Sequence, residues 1–232
     1  MTLLELEGVH THYGESHILE GVSLEVGDGE VVALLGRNGV GKTTTMRSIL
    51  QLTRPTEGSI RFKGQELVGK DTYEVAEAGI GWIPEERRMF ARLSVEENIR
   101  AAVPEASGVE EALETAYDTF PILQERADQR AGDLSGGQQQ MLAIARGLVG
   151  ENELLLVDEP SEGLAPKIVS DVGRALLKAS QEIPILLVEQ KLGLALDLAD
   201  RFYVMDHGQI IDSGETAEVT AEDERLRRYL SA

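Results

Sequence analysis

Apolar and polar positions change rhythm several times along the chain, and each rhythm predicts a different element. The opening stretches "LLELEGVHTHY" and "HILEGVSLEV" mostly alternate, the period of strands with one face buried. The turn sequence "GDGE" separates the second from "VVALLG", so an antiparallel lead-in is expected. "VVALLG" is an unbroken apolar run ending in glycine, the profile of a strand covered on both faces of a parallel sheet. "KTTTMRSILQL" follows with helical spacing, giving strand, loop and helix in succession.

Further on, "GSIRFKGQEL" predicts another strand with a glycine turn. "SVEENIRAAV" and "VEEALETAYDTFPILQERA" are polar, rich in glutamate and helical in period, so the chain from about Glu85 to Gly150 is expected to be mainly helical. "ELLLVDEP" and "IPILLVEQ" are two more buried-strand runs, with a helix between them from near Pro166. "RFYVMDHGQIIDSG" reads as a hairpin turning near His207 and Gly208, and the acidic end "TAEVTAEDERLRRYLSA" as a surface helix. The expected architecture is α/β: one domain over 1–232, with 1–84 and 151–232 as its core and 85–150 as a mainly helical subdomain. No internal repeat or low-complexity linker interrupts it.

Length and composition narrow the function. A chain of 232 residues can bury the core of one domain, with or without a subdomain, but hardly of two independent ones. No apolar run approaches the ~20 residues that cross a bilayer, and "MTLLELEGVH" lacks the layout of a secretory signal, so the expected location is cytoplasmic. The absence of cysteine excludes disulfides, thiolate metal sites and cysteine nucleophiles. His10, His12, His17 and His207 show no metal-binding helix pattern, and His10 with His12 reads as a strand pair, not a zinc site. A formal net charge of −19, from 41 acidic and 22 basic residues, argues against a sequence-independent grip on nucleic acid. That surplus fits either ordinary solubility charge or a surface screened by a salt-rich medium.

Against this acidic background, "GRNGVGKTT" satisfies the G-x-x-x-x-G-K-T pattern after a buried strand and at the opening of a helix. Gly36, Arg37, Asn38, Gly39, Gly41, Lys42, Thr43 and Thr44 form a cradle in which backbone N–H groups and the helix terminus face a phosphate chain. Lys42 is expected to reach the β and γ phosphates, and the Thr43 hydroxyl to ligate Mg²⁺. "LLLVDEP" sets Asp158 and Glu159 at the carboxyl end of another buried strand, where ligands sit in open parallel sheets. Asp158 suits the hydrated magnesium, and Glu159 suits a base that orients the attacking water.

A second cradle, "LSGGQQQ", opens a helix near Ser135. Two helix termini in one chain cannot easily converge on one γ phosphate from opposite sides; two facing copies can. The motifs "GRNGVGKTT", "LSGGQ" and "LLLVDEP", in that order and spacing over nearly the whole chain, resemble the ATP-binding cassette (ABC) ATPases. The resemblance implies a P-loop NTPase (RecA-like) mixed-sheet core, ATP and Mg²⁺ as ligands, and two subunits sandwiching two ATP molecules. Ser135, Gly136, Gly137 and Gln138 would then hold the partner's γ phosphate. It also implies that Tyr13 stacks on adenine; a buried or half-exposed strand tyrosine is the alternative.

Two positions depart from the family pattern. Glu85, in "IGWIPEERRMF", stands where most cassette ATPases place a glutamine that touches magnesium and the membrane partner. Gln190, in "LLVEQK", replaces the usual histidine; its amide can donate to a γ phosphate but cannot take up a proton, so Glu159 remains the principal base. Met89 and Phe90, beside Arg87 and Arg88, either form a socket for a partner helix or pack under the helical insertion. "SEGLAP" directly after the acidic pair would lie along the dimer seam. With "PEERRMF" and "VEQK", it makes the chain similar to an ATPase subunit of branched-chain amino acid importers, including relatives that import urea or amides. The partners implied are a second ATPase subunit, identical or similar, two polytopic membrane permease subunits and, indirectly, an extracytoplasmic solute-binding protein. The other classes considered are a soluble ABC ATPase acting on nucleic acid or ribosomes, and a regulator that barely hydrolyses ATP. The first usually carries paired cassettes, coiled coils or basic surfaces, which this chain lacks.

Overall fold

The computed structural model describes residues 1–103 and 106–230; Ser231 and Ala232, the end of the expected C-terminal helix, lie outside them. Strands β1 (Thr2–Tyr13) and β2 (Ser16–Gly27) pair antiparallel, as the alternation predicts. The buried face of β1 runs through Leu4, Leu6, Val9 and Thr11, and the alternation slips between Leu6 and Val9, where the pairing register shifts and Gly8 takes φ 58°. β3 (Val31–Leu35) is buried throughout and leads into α1 (Lys42–Ile49). β4 (Glu57–Phe62) and β5 (Gln65–Glu66) then complete a four-stranded sheet in the order β2-β1-β4-β5.

Helix α2 (Thr72–Glu77) and strand β6 (Ile80–Ile83) bring the chain to the main sheet, and α3 (Val95–Arg100), α4 (Val109–Thr119), α5 (Pro121–Glu125) and α6 (Gly136–Leu148) follow. The stretch of helical period over 109–127 therefore forms two helices. Phe120 leaves the helical region, at φ −134° and ψ 85°, because Pro121 lacks an N–H and disfavours a helical residue before it. β7 (Leu154–Asp158), α7 (Pro166–Ala179), β8 (Ile185–Glu189) and α8 (Leu192–Leu198) precede the hairpin β9 (Arg201–Asp206) and β10 (Gln209–Glu215). Its turn residues His207 and Gly208 both have positive φ, 44° and 75°, matching the twist a two-residue hairpin needs. The C-terminal helix is shorter than expected: Thr216–Glu218 form one 3₁₀ turn and only α9 (Glu224–Leu230) is α-helical. Nor does it lie wholly on the surface, since Leu226 is fully buried.

The main sheet has six strands in the order β10-β9-β3-β8-β7-β6, parallel except for the terminal hairpin. Alternate residues of β3 serve two cores. Val31, Ala33 and Leu35 pack toward the helical subdomain, α7 and α8, while Val32 and Leu34 pack toward α1 and the four-stranded sheet. An unbroken apolar run is what this two-sided burial requires. Because β3, β8 and β7 are parallel neighbours, their carboxyl ends lie along one edge, and Gly36, Gln190 and Glu159 all follow directly from it.

Candidate active site

Local conformation builds the first cradle. A Cβ on Gly36 would stand 2.6 Å from the carbonyl oxygen of Met205, so no side chain fits there. Gly41 caps α1 at φ 117°, a conformation open to glycine and strained for other residues. The loop folds around Lys42, which is 3% exposed. Its ammonium donates to the carbonyls of Gly36 and Arg37, both at 2.8 Å, and pairs with Glu159 Oε1 at 2.9 Å. Three acceptors thus match its three protons. Arg37 itself reaches the Arg228 carbonyl on α9.

Asp158, only 1% exposed, accepts from Thr43 Oγ1 at 3.4 Å through Oδ1, while its Oδ2 is buried without a hydrogen-bond partner. Burial pushes its pKa up to about 6, with the Glu159 and Glu85 charges adding to the rise and Thr43 and Lys42 opposing it. An orphaned carboxylate oxygen beside a hydroxyl is an all-oxygen donor set, which fits a hard cation such as magnesium. Among the described residues, no three acidic or histidine side chains converge tightly enough to hold an ion alone.

Tyr13, Asn38, Gly39, Gly41, Lys42, Thr43, Thr44, Glu85 and Glu159 line one cleft of about 370 Å³. Tyr13 is 43% exposed, with its hydroxyl on Thr53 Oγ1 at 3.1 Å. Gln190 is exposed and does not line that cleft. Ser135 and Gln138 belong to a different and larger cleft, of about 610 Å³, between α5 and α7. At the start of α6 they form a reciprocal cap: Gln138 N donates to Ser135 Oγ, and Ser135 N to Gln138 Oε1. The N–H groups of Gly136 and Gly137 are the two in that turn left over by these bonds. The two cradles are therefore not brought together within one chain.

The arginine loop is divided in its allegiance. Met89 packs into the core, whereas Phe90 is half exposed beneath the Arg146 guanidinium, 4.8 Å from its ring centre. Arg87 Nε donates to Gln140 Oε1 at 3.0 Å and so ties this loop to α6. Sequence reasoning missed that link, and it missed Glu162 and Glu189 as well. The Glu162 carboxyl, exposed but hydrogen bonded to Glu159, is pushed up to about 7. Glu189 is 2% exposed and takes N–H bonds from both sides of the site edge. Proximity across loops 28 residues apart leaves no spacing signal that a sequence could display.

Comparison with known proteins agrees with this architecture. Residues 19–162 match the ABC transporter family. The chain is 42% identical to the high-affinity branched-chain amino acid transport ATP-binding protein BraG of Pseudomonas aeruginosa, over 90% of this chain and 91% of that one. It is 33% identical to the probable branched-chain amino acid transport ATP-binding protein LivF of Archaeoglobus fulgidus, over 97% of each. The glutamine transport ATP-binding protein GlnQ of Bacillus subtilis is 32% identical, over 99% of this chain and 98% of that one. A nucleotide-free ATP-binding cassette from an ABC transporter superposes over the whole of both chains, with TM-score 0.86 and 27% identity. A cassette in its ADP conformation does so with TM-score 0.84 and 28% identity. The chain belongs to the ABC transporter family, as a cassette that binds and hydrolyses ATP.

Proposed function

We propose that the chain powers an importer for branched-chain amino acids or a related small polar solute, acting at the inner face of the cell membrane. Its similarity to BraG and LivF supports the solute class. Its partners in this reading are a second cassette, two polytopic membrane subunits and an extracytoplasmic solute-binding protein. Phe90 and Arg88 are exposed on the subdomain over 85–150, where a membrane subunit would dock. No nucleic acid is required, in keeping with the charge of −19.

The observation that carries the catalytic reading is the buried Lys42–Glu159 pair beside the unpartnered Asp158 oxygen. The β and γ phosphates take over the Lys42 ammonium, which frees Glu159 from its counterion. Glu159 then orients water and accepts its proton. Thr43 and Asp158, with Glu85 nearby, would hold magnesium, which supplies charge neutralisation on the phosphates. Gln190, which stands outside the cleft around Lys42, would turn in to donate to the γ phosphate from the same chain, and Ser135, Gly136, Gly137 and Gln138 of a second cassette close the other side. Adenine rests on Tyr13. Loss of the γ phosphate removes the charge that held the second helix terminus, and the cassettes part.

Purification of the chain from native membranes tests this reading. Multi-span subunits are expected to accompany it, and the solute captured by the associated binding protein identifies the cargo. Co-purification of nucleic acid or ribosomes in their place would overturn the transport assignment.

A further inference from the structure

Gln190 is held by its neighbours on both sides, and both neighbours reach the same distant residue. Glu189, at the end of β8, accepts the Ser161 N–H through Oε1 at 3.2 Å. Its Oε2 accepts the N–H of Gln190 at 3.1 Å and of Lys191 at 3.2 Å. The Lys191 ammonium returns to donate to the Ser161 carbonyl at 2.8 Å. Ser161 is 1% exposed, so both polar groups of its backbone are gripped inside the protein, one by a carboxylate and one by an ammonium. Hydrogen bonds to charged groups are the strong ones, and burial strengthens them further.

A carboxylate this buried is costly unless it is hydrogen bonded or paired, and here three N–H donors supply that compensation. Desolvation raises the pKa of Glu189, and the N–H donors of Lys191 and Ser161 oppose that rise. What the bonds hold is the relative position of two segments with different duties. Ser161 opens the "SEGLAP" stretch after Glu159, and Gln190 sits at the exposed edge of the sheet.

We propose that Glu189, assisted by Lys191, is a positioning residue that locks the Gln190 segment to the Ser161 segment, so that the γ-phosphate-sensing side chain and the subunit seam move as one body. This rests on the reading above, in which Gln190 meets the γ phosphate and Ser161–Pro166 borders the second cassette. Without the clamp, ATP still binds Lys42 and its loop, but its arrival at Gln190 no longer shifts the seam. Glu189→Gln is the sharpest probe. An amide can keep one acceptor, but its NH₂ then opposes the N–H donors of Ser161 or of Gln190 and Lys191.

The test is hydrogen exchange and turnover on the full chain, for wild type, Glu189→Gln, Glu189→Asp and Lys191→Met. In the nucleotide-free protein, Glu189→Gln is expected to raise amide exchange at 161–164 and 190–191 together. With Mg²⁺ and a non-hydrolysable ATP analogue, the wild type gains protection in both segments, and Glu189→Gln in 190–191 alone. Turnover falls about tenfold with analogue affinity within about twofold. Glu189→Asp, which keeps the charge, recovers part of the loss, and Lys191→Met gives a smaller loss of the same kind.

Unchanged exchange at Ser161 in nucleotide-free Glu189→Gln would overturn the proposal. So would analogue affinity falling in parallel with turnover, the mark of a merely structural residue. A wild-type 190–191 segment that ignores the analogue while 36–44 becomes protected overturns instead the assignment of Gln190 to the γ phosphate.

Discussion

Glu159 combines three unusual conditions: burial, an ion pair with Lys42, and a backbone φ of 45° that L-residues seldom adopt. Such a conformation costs on the order of 1 kcal/mol, and here it follows β7 directly, aiming the carboxylate into the cleft. Replacing it by glutamine keeps the shape and removes the base. Turnover by Glu159→Gln is expected to fall at least about a hundredfold with ATP retained, whereas Gln190→Ala loses about tenfold or less. Steady-state kinetics with an ATP-binding measurement decides, and equal small losses would contradict the assignment of the base. Asp158 gives a pH prediction of definite sign. Its folded pKa, about 6, lies above the ordinary 3.8, so the ligand-free native state holds an extra proton between those values. Stability therefore falls as pH rises through that window and stays lower above it, by on the order of 3 kcal/mol. Asp158→Asn should flatten the profile and raise the melting temperature at neutral pH by several degrees. Added magnesium should then no longer tighten ATP binding.

At the scale of elements, Asn98 holds the turn between β6 and α3. Fully buried, it accepts from Phe90 N at 2.8 Å and donates to the carbonyls of Phe90 and Ser94 at 3.0 and 2.8 Å. Asn98→Ala leaves the Phe90 N–H without a partner and takes one of two donors from the Phe90 and Ser94 carbonyls, which keep the N–H bonds of Leu93 and Asn98. It is expected to cost about 1–3 kcal/mol in urea unfolding and to loosen the loop that carries Phe90. β3, β7 and β8 were legible in the sequence because burial on both faces demands consecutive apolar residues. The hairpin at His207 and Gly208 was legible through its turn chemistry. α2 and α8 were not: each is short, and α8, "LGLALDL", carries a glycine and too few turns to establish a period. The first cradle stood out because its donors are consecutive. The clamp from Glu189 and Lys191 to Ser161 did not, since tertiary folding alone sets those residues side by side.

For the whole molecule, a charge of −19 on 232 residues means self-repulsion across the surface. Raising salt to about 0.5 M shortens the reach of that repulsion to a few ångströms, so the midpoint of thermal unfolding is expected to climb. A surface fitted to a salt-rich medium would continue to gain stability into the molar range, and one carrying ordinary solubility charge would level off early. The Lys42–Glu159 pair has a consequence at this scale too. Any anion approaching the loop competes with a tethered carboxylate whose local concentration is on the order of millimolar or above. Sulfate, inorganic phosphate and AMP, which present fewer contacts to the loop, are therefore expected to bind more weakly than ATP in a competition titration. The resting cassette would then rank its visitors by the length of their phosphate chain before any second subunit takes part.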